Sequence, residues 1–190
     1  MGSLKDYVAK RRFASTPEPR GRVEKARRDR LFVIQKHRAT ALHYDFRLED
    51  AGVLRSWAVP KGPSLDPAEK RLAMQVEDHP LDYATFEGVI PEGEYGGGTV
   101  MVWDIGTWEP VEGDFDKAIR FVLRGKKLHG AWRLVRTAGR KWLLIKSRDR
   151  YVSTDDIAAT KPRSVLSRRL MAGIAKASGG NVEKAATADP

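Results

Sequence analysis

A chain of 190 residues with a net charge of +10 and no cysteine has room for one domain with a sizeable core, and holds neither a disulfide framework nor a thiolate zinc site. No apolar run approaches membrane-spanning length and the N-terminus is charged, so neither a helical span nor a secretory signal is read, and the lack of cysteine suits the cytosol. A pI near 9.9 predicts a polyanionic partner.

Residues 1–30 are expected to form a basic arm. Ten lysines and arginines stand there against four acids, crowded at Lys10-Arg11-Arg12 and again from Arg20 to Arg30. One short helix is predicted near Leu4 to Arg12, and Thr16-Pro17-Glu18-Pro19 stops any continuation. From Leu31 the pattern turns to short β-rich runs separated by turn residues. Strands are predicted near 31–37, 43–49, 53–59, 71–78, 98–105, 118–124, 130–136 and 141–147. Many short strands with hairpin-length gaps define a mainly-β fold, a small antiparallel β-barrel spanning residues 31–162. The run Lys117 to Leu123 fits a helical turn as well as a strand. Arg163 to Ala177 carries Val165, Leu166, Leu170 and Ile174 at helical spacing, which predicts a C-terminal helix over 163–177. Ser178-Gly179-Gly180 then opens a polar stretch, 178–190, that reads as a flexible tail or interdomain linker. An opening Met1 and this linker-like end fit a stand-alone protein or the first module of a longer one.

The segment Gln35 to Arg47 carries most of the chemistry. Alternation along a strand puts Leu42, Tyr44, Phe46 and Leu48 on an apolar face and His43, Asp45 and Arg47 on the opposite, ionisable one. Gln35 and His37 share a face of the preceding strand. If residues 38–42 turn the chain into a hairpin, His37, His43, Asp45 and Arg47 converge. Two imidazoles and a carboxylate with open positions make a divalent-metal site, and an adjacent arginine suits phosphate. Three protein ligands leave room for water and substrate, whereas a structural site tends to close with four. The plainer reading of such a strand is a solvated polar face. Against it, two of only four histidines fall inside this one segment. The mixed nitrogen and oxygen donors do not select the metal, and affinity alone favours zinc over manganese. His79, on a predicted strand face with Gln75 and Glu77, is suited by its pKa range to donate a proton or to bond a phosphate.

Five tryptophans (Trp57, Trp103, Trp108, Trp132 and Trp142) invite a base-stacking role, but most lie in alternating strands and read as core. Trp108, at an expected turn, is the exception. His129 lacks acidic or histidine neighbours and reads as structural or exposed. The glycines from Gly93 to Gly98 lack the lysine of a P-loop and read as a mobile hairpin beside the site.

Four ordered motifs carry a family resemblance. They are Gln35-Lys36-His37 with His43-Tyr44-Asp45-Phe46-Arg47; Trp57-Ala58-Val59-Pro60-Lys61-Gly62-Pro63; Glu77-Asp78-His79-Pro80-Leu81-Asp82-Tyr83; and the run from Gly88-Val89-Ile90-Pro91 to Tyr95-Gly96-Gly97-Gly98. Over about Lys5 to Leu166 the chain resembles the 3′-phosphoesterase domain of bacterial DNA ligase D, an enzyme of non-homologous end joining. The resemblance implies manganese, held by His37, His43 and Asp45. It implies phosphate contacts from Arg47 and His79, with Tyr83 in the catalytic set and Gln35, Lys61 and Arg71 in support. Arg11 and Glu18 match residues needed to remove a terminal ribonucleoside. One departure is Lys10-Arg11-Arg12-Phe13, where the family often has aspartate at the third position.

The implied activity is end healing: a diesterase step removes a 3′-terminal ribonucleoside, and a monoesterase step removes the 3′-phosphate left behind. The implied partners are DNA primer–template or duplex 3′ ends, with the ligase and polymerase modules of DNA ligase D and Ku as further candidates, in the cytoplasm at the bacterial nucleoid. The competing class is a non-catalytic DNA-end-binding module with a structural metal.

Overall fold

The computed structural model describes residues 2–190. Nine strands form one antiparallel sheet: β1 (Arg30–Arg38), β2 (Leu42–Asp50), β3 (Val53–Val59), β4 (Arg71–His79), β5 (Gly88–Ile90), β6 (Gly98–Gly113), β7 (Ala118–Gly125), β8 (His129–Ala138) and β9 (Lys141–Lys146). Their order is β1-β2-β3-β4-β9-β8-β7-β6-β5, and β1 also pairs with β6. Eight strands therefore close into a barrel, while β5 lies outside the ring against the start of β6. Closure removes the exposed edges an open sheet would carry.

Strand parity divides the chain between two cores. Phe32, Ile34, Tyr44, Phe46, Leu48, Trp57, Trp103, Phe121, Trp132 and Trp142 come from every part of the ring and fill its interior. The opposite faces of β1, β3 and β6 present Val33, Val53, Leu54 and Val102 outward. There Leu4 and Tyr7 of the arm and Leu81, Tyr83 and Ala84 of a 3-10 turn (Leu81–Thr85) cover them in a second, smaller core. Truncating one of the large interior aromatics to alanine costs about 3–5 kcal/mol by the usual cavity and transfer terms.

The β2–β3 connection shows how local chemistry sets the register. It is a two-residue loop with positive φ at both positions, Ala51 at 50° and Gly52 at 81°, the geometry that matches strand twist in a tight hairpin. Gly52 is required twice over, because a Cβ there would lie 1.8 Å from the carbonyl oxygen of Glu24 in the arm.

The strands differ from expectation in three places. Lys117 to Leu123 lies in β7 rather than in a helical turn, apart from the loop residue Lys117. The three-residue β5 is too short to leave a period in the sequence. And β6 runs on to Gly113 with a register shift between Pro110 and Glu112, where the ladder can spare the proline's missing N–H. Trp108 consequently sits in a strand, not a turn; it is 2% exposed and donates its indole N–H to the Glu49 carbonyl at 3.0 Å.

The helices are short: α1 (Lys5–Ala9), α2 (Ile157–Thr160), α3 (Met171–Ala177) and α4 (Val182–Ala186). The C-terminal helix begins later than its apolar spacing predicts. The Ser164 hydroxyl accepts from the backbone N–H of Leu166 and Ser167 at 3.0 Å each, an alternative to helical bonding, and Arg168 takes a left-handed φ of 64°. Where 178–190 reads as a tail, the chain forms α4 and buries Ala185 and Ala188 against the barrel core. The Asp189 carboxylate accepts from the first N–H groups of α3, at 2.8 Å from Met171 and 3.0 Å from Ala172.

Candidate metal centre

The hairpin β1–β2 places the donors opposite one another. His37 pairs with His43, Gln35 with Asp45 and Val33 with Arg47, so the odd-numbered side chains of both strands share the barrel's outer face. The imidazole centroids are 4.8 Å apart. Asp45 Oδ2 lies 3.5 Å from His37 Nδ1 and 3.3 Å from His43 Nε2. One donor atom from each of these three residues falls within 4.8 Å of the others.

The outer bonds decide which nitrogen of each ring is free. His37 Nε2 lies 2.7 Å from the Gly96 carbonyl, and a carbonyl only accepts, so that nitrogen carries the proton and Nδ1 keeps its lone pair toward Asp45. His43 is the mirror case. Its Nδ1 faces the Ala41 carbonyl at 3.3 Å, leaving Nε2 for the centre. Burial alone would raise the Asp45 carboxyl, but the Arg47 guanidinium and the two imidazoles prevail and hold it well below 3.8. Burial likewise works to lower His43, and Asp45 outweighs it and raises it. Two lone pairs and an ionised carboxylate converging on one point fit a divalent cation. The arrangement does not choose among such cations.

Arg47 is clamped behind this triad. Its Nε donates to Gln35 Oε1 at 2.7 Å, one terminal nitrogen to Ser56 Oγ at 2.9 Å, and the other lies 3.5 Å from Asp45 Oδ2. Gln35 in turn donates to the carbonyls of Tyr83 and Phe86 at 2.7 and 3.0 Å, which fixes its amide and so aims the guanidinium. Of the five N–H donors of an arginine, only two are hydrogen-bonded here.

A bulge brings His79 to the same pocket. Between β3 and β4, Leu54 pairs with His79 but Ser56 with Val76, so β4 carries an extra residue. Parity flips across it. Gln75 accepts from the Trp142 indole at 3.1 Å on the barrel-interior side, while Val76, Glu77 and His79 line the pocket. The simple alternation that grouped Gln75 with His79 therefore fails at this bulge. His79 Nδ1 donates to the Glu77 carbonyl at 2.9 Å, so its Nε2 holds a lone pair and accepts from Arg11 at 3.3 Å. Burial, then Arg47 and Arg11, push this imidazole well below 6.5. At neutral pH it is uncharged.

The arm supplies the rest. Glu18, 4% exposed, accepts from Arg11 Nε at 3.0 Å and from the Tyr83 hydroxyl at 2.7 Å. Burial and Glu18 hold the Tyr83 phenol well above 10.0, so Tyr83 keeps its proton and spends it on Glu18; it lines the pocket as a ring. Lys61 and Arg71 stand apart in the β3–β4 loop, where Arg71 donates to the Lys61 carbonyl at 2.8 Å, and neither lines the pocket. Glu77 and Tyr95 are site residues that sequence reasoning passed over. Glu77 pairs with Lys10 at 2.9 Å and Arg11 at 3.6 Å, and Tyr95 closes the rim from the glycine-rich hairpin. The Glu-Asp-His order was the one available signal for Glu77. The pocket so formed has a volume of about 300 Å³.

A closed barrel carrying an outward-facing histidine–carboxylate triad, with a clamped arginine beside it, defines a class of candidate metal-dependent phosphoryl-group proteins. The comparisons narrow this. The model of the DNA ligase D 3′-phosphoesterase domain matches residues 35–136, and the chain belongs to that family. It is 52% identical over 183 residues to the multifunctional non-homologous end joining protein LigD of Pseudomonas aeruginosa, covering 88% of this chain and 22% of that protein. The LigD proteins of Mycobacterium bovis and Mycolicibacterium smegmatis are 46% identical over 144 residues and 42% identical over 157, covering 74% and 77% of this chain and 19% and 21% of theirs. The chain thus spans about a fifth of the length of the relatives it matches, 22% at most among these three. No helix is long and apolar enough to cross a membrane.

Proposed function

We propose that this chain is a manganese-dependent 3′-end-healing phosphoesterase that acts at DNA breaks. It removes 3′-terminal ribonucleosides as a phosphodiesterase and 3′-phosphates as a phosphomonoesterase, leaving a ligatable 3′-OH. The observation that carries this reading is the three-donor centre beside an anchored arginine with N–H groups still free. His37, His43 and Asp45 would hold the metal, which supplies Lewis acidity and a more acidic bound water.

The chain's own groups do the remaining work. Arg47 grips phosphate oxygens and, held by Gln35 and Ser56, does so without reorganising. His79 is neutral while Arg11 and Arg47 face it; a phosphate dianion in the pocket offsets both charges and favours the imidazolium, whose Nε2 then donates its proton to the leaving oxygen. Tyr83 acts as a positioning residue through its ring and its carbonyl, and Arg11 and Glu18 position the terminal nucleoside. Lys61 and Arg71 support the pocket from the β3–β4 loop. The DNA partner is a primer–template or duplex 3′ end, and the ligase and polymerase modules of DNA ligase D and Ku are the protein partners this reading entails.

The test is incubation with oligonucleotides labelled at the 5′ end and bearing a 3′-phosphate or a 3′-ribonucleotide, with and without manganese. Manganese-dependent conversion of both to 3′-OH ends is expected. Duplex binding without turnover at any divalent metal would replace this reading with that of a non-catalytic end-binding module.

A further inference from the structure

A second cleft, of about 460 Å³, opens away from the metal pocket and is lined by Lys126, Lys127, Lys161, Arg163 and Arg168 with no carboxylate among its lining residues. It forms where the β7–β8 turn meets the segment before α3. The two walls are fastened together: Lys127 Nζ donates to the carbonyls of Lys161 and Arg163 at 2.9 and 2.6 Å, and Arg163 donates to the Arg168 carbonyl at 3.2 Å. Among the described residues, none of these five cations is in an ion pair. The nearby acids are already committed. Asp104, beneath the turn, accepts from the backbone N–H groups of Ile105, Lys126, Lys127 and Leu128. Glu87 accepts from Ser164 Oγ at 2.6 Å and from the Val102 N–H at 2.9 Å.

The contrast with the arm is informative. Five of its cations (Lys10, Arg11, Arg12, Arg27 and Arg30) are paired with Glu77, Glu18, Glu94, Glu49 and Asp50. Its nominal charge is largely spent on the protein itself. The cleft's charge is not.

We infer that this cleft is a second binding site, for the phosphodiester backbone of the duplex whose 3′ end lies in the metal pocket. In the alternating barrel, the β1–β2 turn that follows His37 and the β7–β8 turn open at the same end, with β6 between β1 and β7. Two strand spacings of about 4.8 Å separate those strands, a distance of the order of neighbouring phosphates along a nucleic acid. Arg168 holds its left-handed backbone, unusual for a long side chain, at the rim of the cleft. Burial, with Lys36 and Lys161 nearby, brings Lys127 down to about 7 against the pull of Asp104, so an arriving anion also restores charge there. The inference rests on the end-healing reading for the identity of the polyanion.

The test uses the full chain with Lys126→Ala, Lys161→Ala and Arg168→Asn combined; asparagine tolerates the left-handed backbone. A charge-matched control carries Lys117→Ala, Arg133→Ala and Lys141→Ala on exposed positions of the barrel. Binding to a fluorescent duplex of about 20 base pairs is measured by anisotropy in EDTA over a salt series, with melting temperature as a check on folding. The cleft variant should lose at least about tenfold in affinity relative to the control, and the salt slope should become shallower by about 2–3. Its manganese-dependent turnover of a 3′-phosphorylated dinucleotide, too short to reach the cleft, should match the parent's. Equal affinity and slope for the cleft and control variants overturn the inference, as does a loss confined to anionic lipid vesicles. If the parent turns over no 3′ end yet the cleft variant binds duplex less well, the end-healing reading falls and the cleft stands.

Discussion

Arg12 donates two hydrogen bonds to Glu94, at 2.9 and 3.3 Å, and so ties the N-terminal arm to the glycine-rich hairpin that supplies Tyr95 and Gly96 to the pocket. This is the position where the family motif led to an expected aspartate. Arg12 is well exposed, so the pair contributes at most about 1 kcal/mol to stability. Arg12→Asp sets like charges against each other. The expected outcome is faster amide hydrogen exchange across residues 92–98 with little change in melting temperature. Unchanged protection there would show that the hairpin is held without the arm.

Replacing His43 or Asp45 with alanine should reduce both activities by at least about 100-fold, more than the loss usual for an outer-shell partner. The fold should survive, because both side chains face outward from the barrel interior. Manganese titration calorimetry and a thermal melt check the two halves of the statement. A His43→Ala protein that retains most of its manganese-dependent turnover sinks the ligand assignment.

Arg47→Ala and His79→Ala should lower turnover on 3′-phosphate ends far more than metal affinity. Arg47→Ala also leaves Gln35 and Ser56 without a buried partner, at a cost of about 1–3 kcal/mol, so its melting temperature should fall. Steady-state rates beside manganese binding constants make the comparison. Weakened metal binding with an unchanged rate would reverse the two roles.

Stability of the metal-free protein should depend on pH with opposite signs at two histidines. His79 is lowered in the fold, so as pH falls below about 6.5 the unfolded chain takes the proton first and stability is lost toward the folded value. His43 is raised, so its contribution is full below about 6.5 and is lost as pH rises through its higher folded value. Melting curves between pH 5 and 9 test this, in approximate half-unit steps. His79→Gln should flatten the acid side alone; an unaltered acid limb would show that His79 does not titrate this way.

Metal binding should weaken in mild acid, because His37 and His43 must be neutral to donate and protons compete for them. Excess manganese should partly restore turnover there. A rate at low pH that ignores metal concentration would break that coupling.

What the sequence by itself determined was whatever a short stretch of backbone encodes. Alternation between Leu42 and Leu48 assigned Tyr44, Phe46 and Leu48 to the interior and His43, Asp45 and Arg47 to one outer face, because a strand's period is two and needs no distant partner. The hairpin turn after Arg38 then brought His37 opposite His43, so the triad was legible within eleven residues, from Gln35 to Asp45. The same logic found eight of the strands.

Only the tertiary structure decided the relationships that span the fold. The β4 bulge separates Gln75 from His79, and pairing with β3 reveals it where composition does not. Glu18 takes the Tyr83 proton across 65 residues, and Arg11 reaches His79 across 68, contacts with no local period. The segment after Ser178 looked like a tail because its apolar residues are mostly alanines. It packs because Ala185 and Ala188 meet the barrel core and Asp189 caps α3. Small side chains carry little hydrophobic signal in sequence, and burial supplied by distant strands is a property of the closed barrel alone.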